Sequence, residues 1–151
     1  MKQSVFWLIL AFAVGCSKQQ YQPQIPTDSC TLGDEVSLID TQRLINGTWA
    51  WFQSSTAKGV ITPKSEGYSL TYMFGDTFKI LRNDVLQNES PYALGIDLES
   101  PVANTIKLTY RDVQLATDVF NRVYINRSGD CLILMSFSSN QITTMNLKKV
   151  N

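Results

Sequence analysis

The sequence predicts an all-β fold, an up-and-down antiparallel barrel of about eight strands preceded by a short helical turn. Three observations carry this. From Thr48 onward apolar and polar residues alternate with a period of two, the repeat of a half-buried strand. Turn residues interrupt that alternation at short intervals, as in Gly75-Asp76, Asn83-Asp84, Ser128-Gly129-Asp130 and Ser138-Ser139-Asn140. No stretch of ten residues after Gly47 keeps a helical period. A chain of 151 residues, 44% hydrophobic and 17% charged, has the size and composition of one globular domain with one core. Consecutive hairpins favour a barrel, with a two-sheet sandwich as the alternative.

The N-terminus reads as an address. Lys2 gives a short positive region, Val5 to Val14 are unbroken apolar residues, and Gly15-Cys16 closes the segment with a small residue before a cysteine. As a helix those apolar residues reach about 15 Å, roughly half the hydrocarbon thickness, which is short for a transmembrane span. Ala13-Val14-Gly15-Cys16 resembles the lipobox of bacterial lipoproteins. The resemblance implies cleavage before Cys16, a diacylglycerol on its thiol and an acyl group on its new amino terminus. Ordinary cleavage after Ala11-Phe12-Ala13 is the alternative. Ser17 to Thr27 is polar and proline-bearing, a tether rather than a folded element. The expected organisation is a leader over 1–15, a lipidated cysteine and tether over 16–29, and a barrel domain over 30–151. The absence of Asp after Cys16 points, by the sorting logic of such lipoproteins, to the outer membrane of the cell envelope and a periplasm-facing domain.

With Cys16 given to lipid, Cys30 and Cys131 remain as an even pair in an exported chain, where a disulfide is expected. Two separate small buried residues are the other reading. Asp40 ahead of Thr41-Gln42-Arg43-Leu44-Ile45, closed by Asn46-Gly47, predicts one capped helical turn that packs Leu44 and Ile45 inward. Thr48 to Ser54 is the first strand, and Lys58 to Gly67 reads as a loop because of its two glycines and proline. Tyr68, Leu70, Tyr72 and Phe74 form one apolar face, and Phe78 and Ile80 continue it after the Gly75-Asp76 turn. Tyr92, Leu94, Ile96 and Leu98 alternate with Ala93, Gly95, Asp97 and Glu99, until Pro101 ends the run. Ile106, Leu108 and Tyr110 mark the next strand, and Val119 to Asn126, Cys131 to Phe137 and Ile142 to Lys148 supply three more.

Gly47-Thr48-Trp49 at the entrance to the first strand resembles the Gly-x-Trp signature of lipocalins. The longer text Gly47-Thr48-Trp49-Ala50-Trp51, followed by Thr62-Pro63-Lys64-Ser65-Glu66-Gly67-Tyr68, is similar to bacterial lipocalin-like lipoproteins. The resemblance runs from about Leu44 to the C-terminus. It implies that Trp49, with Gly47, anchors the closed end of a barrel and that a basic side chain near the last strand stacks on the indole. Lys148 and Lys149 are the candidates, where the family carries Arg.

The chain contains no His, so Ser-His-Asp and Cys-His nucleophile systems and His-based metal sites are excluded. Asp97 and Glu99 share a face, but the opposite face of that strand is apolar, so both read as solvated charge. No enzyme, metal or cofactor is expected. Lys+Arg and Asp+Glu are both 13, with no basic run longer than Lys148-Lys149, which argues against nucleic acid as a partner. The inward aromatics Trp51, Tyr72, Phe74, Tyr92 and Tyr110 either fill the core or line a site for a small hydrophobic ligand. The expected function is a membrane-anchored module, attached through Cys16, that binds or carries such a ligand. The alternative is a structural or protein-interaction lipoprotein whose barrel is filled.

Overall fold

The computed structural model describes residue 30 and residues 36–102, 104–138 and 141–150. The leader expected over 1–15, Cys16 and the tether to residue 29 lie outside the described residues. Helix α1 runs Leu38–Ile45 and begins earlier than an Asp40 cap would set it. Ser37 is the N-cap: its Oγ accepts the Asp40 amide at 3.1 Å and its hydroxyl donates back to the Asp40 carboxylate at 2.8 Å. Both residues are good caps, and three-residue spacing lets them act together, with the Asp40 charge in the first turn facing the helix dipole.

The strands are β1 (Gly47–Thr56), β2 (Gly59–Ile61), β3 (Leu70–Phe74), β4 (Phe78–Arg82), β5 (Val85–Ser90), β6 (Tyr92–Ile96), β7 (Ile106–Asp112), β8 (Thr117–Ile125), β9 (Cys131–Ser138) and β10 (Gln141–Val150). The loop expected over residues 58–67 is more ordered than its composition suggests. Strand β2 folds back on the far half of β1, and Pro63–Glu66 forms a one-turn helix, α2. Thr62 and Ser65 cap that turn reciprocally, and Gly67 closes it in the left-handed region that glycine enters without penalty.

Apart from β2, the strands form one curled antiparallel sheet in the order β5-β4-β3-β1-β10-β9-β8-β7-β6. The first and last long strands pair, and every other neighbour is the next hairpin in sequence, so the topology is up-and-down. The two ends of the sheet, β5 and β6, are consecutive in the chain and separated only by Pro91. Antiparallel pairing around the sheet makes them run the same way. They are two halves of one kinked strand, the first laddered to β4 and the second to β7. Proline at the kink has no N–H to donate, which suits the point where the ladder changes sides. Counting β5 and β6 together gives the eight strands expected from sequence; counted by ladder there are nine.

One face of the curled sheet carries the core, with Trp49, Phe78, Leu108, Leu132 and Leu147 fully buried and Ile45 of α1 packed against them. A bulge in β1, between Trp51 and Gln53, shifts the alternation by one, so Ser54 turns to the same side as Trp51. The Trp51 indole then donates to the Ser54 hydroxyl at 2.8 Å, and both are buried. Cys30 and Cys131 form a disulfide with Cα atoms 5.7 Å apart, tying the chain upstream of α1 to the start of β9. Among the described residues no helix is long and apolar enough to cross a membrane.

Candidate functional site

One end of the sheet is closed by α1. A helix leaves its last carbonyls without intrahelical partners, and here two strand side chains supply them. The Trp49 indole donates to the Ile45 carbonyl at 2.7 Å, and the Lys149 ammonium donates to the Leu44 carbonyl at 3.0 Å. Lys149 also lies over the Trp49 ring, its Nζ 5.1 Å from the ring centre, and Thr48-Trp49 pair with Val150-Lys149 across β1 and β10. A cation at a helix C-terminus is favoured by the dipole as well as by the indole face. Gly47 makes this crossing possible. A Cβ there would stand 3.0 Å from Lys149 Cε, and its φ of +129° lies where side chains are strained. Of the two lysines sequence left open, Lys149 therefore carries the contact.

Above this end the inner face is aromatic. Four of the five aromatics singled out from sequence meet around a sixth ring, Phe78, which is 0% exposed. Its ring centre is 4.5 Å from Tyr110, 4.8 Å from Phe74, 5.9 Å from Tyr72 and 6.4 Å from Tyr92. Burial raises the hydroxyl pKa values of Tyr72, Tyr110 and Tyr92, so these groups stay neutral donors at ordinary pH. Trp51 belongs elsewhere: it stacks on Tyr68 at 5.7 Å, and the Arg82 guanidinium lies 4.0 Å from the centre of the Tyr68 ring. Sequence reasoning placed Phe78 on the apolar face but did not rank it as the centre, because alternation reports which face a residue takes and not which rings converge.

The structure adds polar groups that the sequence reading passed over. Asn88 and Ser90, two residues apart on the buried side of β5, are each 4% exposed. The Asn88 side-chain amide donates to the Arg111 carbonyl at 3.1 Å and so links β5 to β7 where no ladder joins them. Asn88 Oδ1 and Ser90 Oγ have no hydrogen-bond partner among the described residues. The signal available in sequence was two polar residues in the alternation phase of Phe78 and Ile80, which a β5 bulge opposite Ile80 and Leu81 brings into register.

A shallow groove of about 470 Å³ also opens between α1, the β3–β4 turn and β6, lined by Gln42, Asn46, Asp76, Tyr92 and Leu94. Asp97 departs from the solvated role expected of it. It is buried and pairs with Arg122 at 2.7 Å, and Arg122 in turn lies 4.1 Å over the Phe137 ring. Glu99 stays exposed and donates its amide to Asp97. Among the described residues no three His, Cys, Asp or Glu side chains are grouped to hold a metal ion. No protein-family model matches the chain, and no curated protein matches it in sequence.

Proposed function

We propose that this chain is a membrane-anchored, lipocalin-like lipoprotein of the cell envelope, facing the periplasm from the outer membrane, whose curled sheet holds a small hydrophobic molecule. The observation that carries the reading is the pairing of a plugged end with an unfilled chemical demand inside. Trp49 under Lys149 seals the α1 end, while the inner face beyond it offers aromatic surface and two buried polar atoms without partners among the described residues. Small-molecule sites combine apolar walls with a few converging polar groups in this way. Anchoring rests on the lipobox-like Ala13-Val14-Gly15-Cys16, since two or more acyl chains hold a protein on a membrane stably.

A second reading, an interaction lipoprotein with a filled interior, draws on the tight packing of rings about Phe78 and on the exposed Val60 in the β1–β2 hairpin. Titration of the purified protein with apolar probes, read by Trp fluorescence, separates the two. The binding reading expects a saturable change; a flat response to every probe favours the filled barrel. Membrane fractionation of Cys16→Ser tests the anchor separately. The variant should move to the soluble fraction, and unchanged membrane association would remove the lipid assignment.

A further inference from the structure

We infer that the seam between β5 and β7 is the recognition site for an uncharged, hydrogen-bond-donating headgroup, an alcohol or an amide, on a small amphiphile. The inference rests on the ligand-binding reading above and names the ligand class.

The buried polar groups beside the seam are Asn88 and Ser90. The orientation of the Asn88 amide is decided by chemistry. Its nitrogen must face the Arg111 carbonyl, which can only accept. The atom left over is therefore Oδ1, an acceptor, and it is buried without a donor among the described residues. Ser90 Oγ, on the same face and equally buried, can donate or accept. A buried polar group left unserved keeps its full desolvation penalty, so a ligand group that serves both is favoured. A hydroxyl does so, donating to Asn88 Oδ1 and exchanging a bond with Ser90 Oγ, and a primary amide does so as well. An ionised carboxylate does not, because it only accepts and would meet Oδ1 as a second acceptor.

One end of the seam carries exposed aliphatic residues. Because β5 and β7 are antiparallel and meet at Asn88 and Arg111, the start of β5 and the β7–β8 turn lie at the same end of the seam. The residues there are Val85 (62% exposed), Leu86 (51%), Val113 (54%) and Leu115 (66%). Exposed aliphatic side chains at the start of β5 and in the β7–β8 turn, at one end of the seam that holds the buried polar pair, match a molecule with a polar head and a hydrocarbon body. The sheet is not laddered between β5 and β7, so entry requires no backbone hydrogen bond to break there.

The test compares two isomers, 1-octanol and heptyl methyl ether, with octanoate as a third probe. Binding to the full-length protein is measured at neutral pH by Trp fluorescence. The alcohol should bind at least about tenfold more tightly than the ether, the equivalent of one satisfied buried hydrogen bond, and octanoate should bind more weakly than the alcohol. Asn88→Leu should bring alcohol and ether to the same affinity, and Ser90→Ala, the milder change, should narrow the gap. Equal affinity for the two isomers in the unaltered protein overturns the headgroup assignment while leaving ligand binding intact, and means that ordered water serves the polar pair. Binding of none of the probes overturns the ligand reading itself.

Discussion

Lys149 lies over the ring of Trp49 and reaches past it to the carbonyl of Leu44, so one side chain from the last strand joins the first strand to the end of α1. The contact ties the last strand to the junction of α1 and β1, Lys149 and Leu44 being 105 residues apart in sequence. Truncating Trp49 to Ala removes a fully buried indole and should destabilise the domain by about 3–5 kcal/mol. Lys149→Met keeps the aliphatic stem but loses the cation and its hydrogen bond, for an expected loss of about 1–2 kcal/mol. Denaturant melts read both. A loss below about 1 kcal/mol for Trp49→Ala would mean that the indole does not hold this end closed.

Gly47 is the permissive element beneath that contact. Ala at this position must adopt a φ reserved for glycine and press on Lys149 Cε, at a cost of about 1–3 kcal/mol. Gly75, around which a Cβ meets nothing within 4 Å and whose φ is unremarkable, provides the control. Gly75→Ala should be near neutral in the same melts, and an equal effect at both positions would contradict the role given to Gly47.

The Cys30–Cys131 disulfide spans 101 residues. On the chain-entropy account, closing so long a loop stabilises by about 4–5 kcal/mol. Replacing both cysteines by Ala, or melting under reducing conditions, should lower stability by an amount of that order. Coincident melts with and without reductant would show that the bridge constrains little.

Stability should also fall in acid through Asp97. Its hydrogen bond from Arg122, and then the amide of Glu99, hold the carboxyl below the usual carboxylate range. A carboxyl whose folded pKa is depressed contributes stability that is present above its unfolded pKa of about 4 and is lost as pH falls through the folded value. Asp97→Asn should therefore flatten the acid limb below about pH 4 while lowering stability at pH 7. An unchanged acid limb in urea melts across that range would separate the pair from acid stability.

Much of this architecture is legible in the residues. Alternation with a period of two marked the strands, and the Gly47-Thr48-Trp49 entrance marked the anchored end. The places where reading failed share a cause: each depends on a local shift of phase or a distant partner. Ser37 took the cap from Asp40 because the two cooperate across one turn. The bulge after Trp51 turned Ser54 inward, and no alternation rule predicts a bulge. Asp97 looked solvated because its partner, Arg122, comes from a different hairpin. Asn88 and Ser90 were silent because a polar residue in a strand reads as outward until the sheet curls and buries it.

The proposed function places a small molecule in the interior of the curled sheet. Native mass spectrometry of protein purified from its source tests this most directly. The expected result is one small, non-covalent adduct per chain, lost on denaturation and separate from any covalent mass on Cys16. A native mass equal to that of the covalent polypeptide alone, with nothing released on denaturation, would contradict it.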